Sequence, residues 1–258
     1  MKQLEEKFTF KGWQIAYTSE GEAEVPIIFI HGASSDKNIW KYLFDLRDSN
    51  QQFLALDLLG HGNSDKPEIN YDDELWSNNV KSLLDYLNLS KVVLVAHSYG
   101  ALIVKKFCDL YPDSIARIVL IDGKINQKLS DSMFTWMMST LERSDYYEYM
   151  ANISSNRCDR LLSEVDANMV SASVLNTPKH VLIGQIKSMR EEEFEDTIII
   201  APVLAIYRNG MDWNQDEEMY LRNHTSNLEL IVWDKISHFM MLEKPRELMN
   251  AIKLFINN

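Results

Sequence analysis

The sequence predicts an α/β fold: a mostly parallel, twisted sheet flanked by helices, with a helical cap insertion. Three observations predict it. Short apolar runs alternate with longer helical patterns, the signature of strands joined by crossover helices. The runs are continuous rather than alternating, so both faces of the sheet are expected to be covered. Between Ile121 and Thr197 lies a long stretch without β character, and a structureless loop of that length is improbable inside a compact domain.

Taken in order, Phe8-Thr9-Phe10 and Trp13-Gln14-Ile15-Ala16-Tyr17, separated by Lys11-Gly12, form an opening antiparallel hairpin. Four buried strands follow at Pro26–Ile30, Phe53–Leu56, Val92–Val95 and Ile118–Ile121, and two more late in the chain at Ile198–Ile206 and Leu228–Trp233. The last helix is marked by Leu248, Ala251, Ile252 and Phe255, the i, i+3, i+4, i+7 stripe of an amphipathic helix. In the long β-free stretch, Met133, Met137 and Leu141 recur every fourth residue, so one helical face is apolar. A second cluster holds Val181-Leu182-Ile183, Ile186 and Met189. The whole chain is expected to be one domain, with residues from about 124 to 196 forming the cap. The acidic run 191–196 reads as a solvated face or hinge rather than a cation site.

Composition narrows the partners. The 258 residues are 46% hydrophobic and 25% charged, ordinary globular usage. Lys plus Arg is 26 against 38 Asp plus Glu, a net charge of -12, which argues against nucleic acid because phosphate binding needs a basic face. No apolar run approaches the roughly 20 residues that span a bilayer, and the polar start has no signal-peptide core. Cys108 and Cys158 stand in no metal-type spacing and read as reduced thiols, so the cytoplasm is the expected compartment. A small-molecule substrate remains; oligomeric state is not legible.

The chemistry lies in Val92-Val93-Leu94-Val95-Ala96-His97-Ser98-Tyr99-Gly100-Ala101-Leu102. It reads as a buried strand, a tight turn centred on Ser98, then a helix. A serine there exposes its hydroxyl beside the positive end of the following helix. Such a turn needs small residues two before and two after the serine, here Ala96 and Gly100. The usual pattern is G-x-S-x-G, from which Ala96 departs by one methyl. Alone, small-x-Ser-x-Gly also fits an ordinary helix N-cap.

Three further segments fall in register with it. Ile30-His31-Gly32-Ala33 follows a strand and can supply an oxyanion N–H. Asp57-Leu58-Leu59-Gly60-His61-Gly62-Asn63-Ser64 follows the next. Ser237-His238-Phe239-Met240 lies between the last strand and the last helix. With these four motifs in this order the chain resembles the α/β-hydrolase family, specifically its small capped members with a serine nucleophile, from about Phe8 onward and least across the cap.

That resemblance implies a triad of Ser98, an acid and His238, in that chain order. Asp212, in the loop after the strand ending near Tyr207, is the expected acid. Its spacing from Pro202 is one residue longer than the family's common form, and Arg208 stands where a glycine is usual. Asp122, at the end of the strand after the nucleophile's helix, is the alternative; Asp216 and Asp234 are more distant ones. Oxyanion donors would be the N–H groups of Ala33 and Tyr99. Met133, Trp136, Met137 and Met240 are expected to wall an apolar substrate pocket.

Other features take plainer readings. Gly60-His61-Gly62 lacks the third glycine of a dinucleotide fingerprint. His31 and His97 are expected to order loops, His180 and His224 to lie at the surface, and Cys108 to be a packed thiol. No metal-ligand or P-loop motif occurs, so no metal and no cofactor is expected. The expected activity is hydrolysis of a small, largely apolar carboxylic ester through an acyl-enzyme. Thioester, lactone or C–C hydrolysis, perhydrolysis, lyase chemistry and a ligand receptor with a slow triad are the alternatives the same scaffold leaves open. A nucleophilic aspartate, as in the family's dehalogenases and epoxide hydrolases, is excluded if Ser98 occupies the turn.

Overall fold

The architecture was read from a computed structural model, which describes residues 5–126, 128–143, 145–148, 161–191, 197–210 and 215–258. Its centre is an eight-stranded sheet in the order β1-β2-β4-β3-β5-β6-β7-β8. The strands are β1 (Glu5–Phe10), β2 (Trp13–Glu20), β3 (Ile27–Ile30), β4 (Phe53–Leu56), β5 (Val92–His97), β6 (Ile115–Ile121), β7 (Val203–Arg208) and β8 (Leu228–Trp233). Only the pairings of β1 with β2 and β2 with β4 are antiparallel. From β4 to β8 every pairing is parallel, so the carboxyl ends of the strands share one edge.

The continuous apolar runs have the predicted consequence. Every residue of β3, β4 and β5 is buried. One face is covered by α2 (Asp73–Tyr86) and α3 (Gly100–Leu110), through Trp76, Val80, Leu102, Ile103 and Phe107. The other is covered by the short α1 (Lys41–Phe44) and the last helix, Pro245–Asn257, through Leu43, Leu248, Ile252 and Phe255.

One strand is shorter than expected. Ile198 and Ile200 are 56% and 73% exposed, and Ile199 makes only an isolated bridge to Thr225. Pro202 has no N–H to give a ladder, and the sheet pairing begins at Val203.

Between β6 and β7 the described residues include the helices α4 (Asp131–Leu141), α5 (Glu164–Asn176) and α6 (Lys179–Glu191). Each of α4 and α5 starts on a serine whose hydroxyl accepts a backbone N–H, Ser130 from Met133 and Ser163 from Asp166, a regular N-cap. Polar bonds of long sequence separation fasten α5 to the loop after β3 and to the start of α1. Ser173 donates to Asp36 at 2.7 Å and Lys41 pairs with Asp166 at 2.7 Å. The acidic run is outside the described residues beyond Glu191. Among the described residues no helix is long and apolar enough to cross a membrane.

Candidate active site

Strand β5 ends at His97 and α3 begins at Gly100, so the chain reverses within two residues. Ser98 absorbs the turn with φ +53°, the left-handed region that an L side chain rarely adopts. Its N–H donates to Ile121 O at 3.0 Å, tying the turn to the end of β6. At Gly100 a Cβ would stand 2.9 Å from Ile30 O and 3.0 Å from His31 O, so the expected small residue is required. Ala96 is fully buried in the register between Ile30 and Leu120, and its extra methyl is accommodated.

Both partner loops rise from the same edge. Asp122 follows β6, also with a positive φ (+46°), and its side chain is fully buried. Its Oδ2 accepts from His238 Nδ1 at 2.5 Å, and its Oδ1 accepts from the Arg208 N–H at 3.2 Å. The Arg208 guanidinium Nε lies 2.9 Å from Oδ2, so the carboxylate faces an imidazole and a cation together. His97 Nε2 donates to the His238 carbonyl at 2.9 Å, which holds the loop after β8.

The acid that the geometry brings to His238 is therefore Asp122, the sequence alternative. Asp212 lies outside the described residues. Asp234 instead accepts from Asn209 Nδ2 at 2.7 Å, and Asp216 is on the helix Gln215–His224. Two residues of this cluster escaped the sequence reading as functional. Gly123 packs so closely that a Cβ would meet Ser98 O at 2.3 Å. Arg208 was visible only as an anomaly. The available signal was Asp-Gly at a strand end, which allows a sharp exit beside the serine.

Ser98 and His238 open into one cavity of about 190 Å³, lined also by Ala33, Trp136, Met137 and Ile186. Tyr99 is buried at the start of α3, its phenol donating to Asp73 at 2.5 Å. Two of the expected pocket residues stand elsewhere. Met133 is 47% exposed and does not line the cavity, because it lies a full turn before Met137 on α4. Met240 is fully buried in the core beneath the sheet. It opens a short helix (Met240–Glu243) that turns its side chain inward, away from the pocket.

The histidines sort by burial. His97 and His61 lie well below the ordinary imidazole range and His31 is lowered too, in each case first because burial disfavours the cation. Neutral, they order loops. Leu58 N–H donates to His31 Nε2 at 3.1 Å, and His31 Nδ1 donates to Gly32 O at 2.8 Å. His180, expected at the surface, stands beside Tyr71 with its Nε2 buried. His224 stacks on Tyr220 at 3.8 Å. The Cys108 thiol is pushed up to about 12 by burial, as befits a packed side chain; Cys158 is outside the described residues. Among the described residues no three His, Cys, Asp or Glu side chains are grouped to hold a metal ion.

Residues 25–147 match the sequence profile of a family described as alpha/beta hydrolase fold. A haloalkane dehalogenase of Agrobacterium fabrum is 32% identical over 111 residues, 43% of this chain and 36% of that protein. The human epoxide hydrolase 4 is 27% identical over 139 residues, 53% of this chain and 38% of its own. The chain thus spans about a third of the length of the curated relatives it matches. Among solved structures, a bromoperoxidase from Bacillus anthracis superposes with TM-score 0.87 at 18% identity, covering 100% of both chains. A thermophilic esterase from Thermogutta terrifontis gives TM-score 0.84 at 18% identity, covering 100% of this chain and 98% of the other. At such identities the likeness is one of fold.

Proposed function

The chain belongs to the α/β-hydrolase family, and from that premise we propose that it is a serine hydrolase acting through an acyl-enzyme on a carboxylic ester, with Ser98, Asp122 and His238 as its triad. One observation carries this reading: a strained serine at the strand-to-helix turn shares a cavity with a histidine whose far nitrogen lies 2.5 Å from a buried carboxylate.

The chemistry follows from that arrangement. Asp122 accepts a hydrogen bond from His238 Nδ1–H, so Nε2 is the basic nitrogen. Ser98 Oγ attacks the ester carbonyl carbon while His238 takes its proton. The N–H groups of Ala33 and Tyr99 receive the oxyanion, and losing one such donor typically costs about 10²–10³ in kcat. His238 then protonates the leaving alcohol and activates the water that hydrolyses the acyl-enzyme. Helices α4, α5 and α6, in the segment 124–196, act as the cap that shapes the acyl pocket on a single catalytic domain.

The dehalogenase and epoxide hydrolase relatives suggest other bonds. A carbon–halogen or epoxide reaction through a nucleophilic aspartate is disfavoured, because the turn carries Ser98. Free Cys108 fits a reducing compartment, the cytoplasm expected from composition. The test is covalent labelling. A fluorophosphonate should modify wild type on Ser98 and leave Ser98→Ala unlabelled, with 4-nitrophenyl ester turnover falling by at least about 10³. Label retained by Ser98→Ala would refute the nucleophile.

A further inference from the structure

Behind the Trp, Met and Ile lining of the cavity beside Ser98 lie buried polar atoms. Four side chains that line it bury a polar atom for which the described residues provide no hydrogen-bond partner: Ser35 Oγ, His97 Nδ1, Tyr146 Oη and Gln185 Oε1. Each of these residues is at most 5% exposed. A buried polar group without a partner costs its full desolvation penalty, so a cluster of four around one small cavity needs a reason.

The roles of these atoms follow from their neighbours. His61 Nδ1 faces the Leu59 carbonyl at 3.3 Å, and a carbonyl only accepts, so Nδ1 carries the ring proton and Nε2 is bare. Gln185 lies with its amide nitrogen 3.3 Å from that Nε2 and donates to it. The other end of the amide, Oε1, is then an acceptor awaiting a donor. His97 is held in the same way: its Nε2 donates to the His238 carbonyl, leaving Nδ1 a lone-pair acceptor. Two of the four atoms can only accept, and the two hydroxyls can do either.

We propose that the substrate carries a hydrogen-bond donor, a hydroxyl or amide N–H on its acyl part, that is read by Gln185 Oε1 on helix α6. The proposal rests on the serine-hydrolase reading above and adds one polar group to the small, largely apolar ester expected from sequence. The aliphatic and aromatic walls, Trp136, Met137 and Ile186, take the carbon skeleton, while Gln185 sets which skeleton is accepted. A site built to bond a substrate group discriminates against the analogue lacking it, because the site's own polar atom is then left unpaired.

The experiment compares 4-nitrophenyl hexanoate with its 3-hydroxy, 6-hydroxy and 3-oxo forms on wild type, Gln185→Met and Gln185→Glu. Wild type should prefer at least one hydroxy ester over hexanoate by about tenfold or more in kcat/KM. The oxo form brings only an acceptor, which Gln185 Oε1 cannot bond, so any gain from it through the Ser35 or Tyr146 hydroxyl should be unchanged in Gln185→Met. Gln185→Met should bring the hydroxy-to-hexanoate ratio close to one, and Gln185→Glu, which keeps an acceptor, should retain it. Equal rates on hexanoate and both hydroxy esters in wild type, or a hydroxy-to-hexanoate ratio unchanged in Gln185→Met, would each overturn the proposal. Calorimetric binding of the corresponding N,N-dimethylamides to Ser98→Ala reads the same preference without turnover. Donor preference there with no ester hydrolysis by wild type refutes the esterase reading alone. Hydrolysis without donor preference refutes the Gln185 assignment alone.

Discussion

Replacing Asp122 by asparagine removes one charge and leaves the shape. In wild type the buried carboxylate accepts a hydrogen bond from His238 Nδ1–H at 2.5 Å, and a charge-assisted bond of that length is roughly twice as strong as a neutral one. An asparagine amide offers its NH₂ or its carbonyl to Nδ1, and the Arg208 N–H, which donates to Oδ1, holds the carbonyl on the side away from the imidazole. The NH₂ then faces the imidazole, Nδ1 must accept, and the proton moves to Nε2. That is the wrong tautomer for removing the serine proton. In a serine protease the same change costs about 10⁴ in kcat, which corresponds to about 5.5 kcal/mol of barrier. Asp122→Asn is expected to lose 10³–10⁴ in kcat on a 4-nitrophenyl ester, with KM within about threefold and fluorophosphonate labelling slowed in proportion. The fold should survive, since Arg208, a quarter exposed, keeps access to water when its anion is lost. Asp212→Asn, measured alongside, should stay within a few-fold of wild type. Normal turnover by Asp122→Asn with a crippled Asp212→Asn would refute the assignment of the acid.

Two further outcomes are expected. Trp136 lines the cavity yet is 47% exposed, so Trp136→Ala should change KM and chain-length preference across 4-nitrophenyl acetate to octanoate while the thermal midpoint moves little; a large loss of stability with unaltered selectivity would make it core alone. His31, His61 and His97 have folded pKa values lowered by burial, so below the unfolded value of about 6.5 the unfolded chain binds more protons. Their contribution is complete above that pH and is lost as pH falls, each adding up to about 1.4 kcal/mol per pH unit to the slope. Urea midpoints measured from pH 7.5 to 5.5 should fall, and a flat profile would contradict the neutral, buried histidines.

The central strands could be read from the sequence because burial on both faces leaves an unbroken apolar run, as in Ile27–Ile30 and Phe53–Leu56. The same rule misled at Ile198–Ala201, where apolar residues precede a proline outside the ladder. Ser98 and His238 were legible because a tight turn and a strand-to-helix loop leave local signatures. The acid was not. Strands β6 and β7 are neighbours, so the ends of both point at His238, and only the third dimension separates Asp122 from the loop beyond Arg208. Chain proximity misplaced Met240, two residues from His238, since one turn of helix redirects a side chain from pocket to core. Gln185 left no signal because its meaning depends on the tautomer of His61, 124 residues away.

The left-handed backbone at Ser98 and Asp122 has a consequence for engineering. Non-glycine residues at such angles each hold about 1–3 kcal/mol of strain. Glycine relieves it at either position, and removes the proposed nucleophile or the proposed acid. Variants of this chain selected for heat resistance alone will therefore drift toward glycine at these two positions and lose their chemistry. A stabilisation campaign has to hold both residues fixed and search elsewhere, or score turnover in the same round.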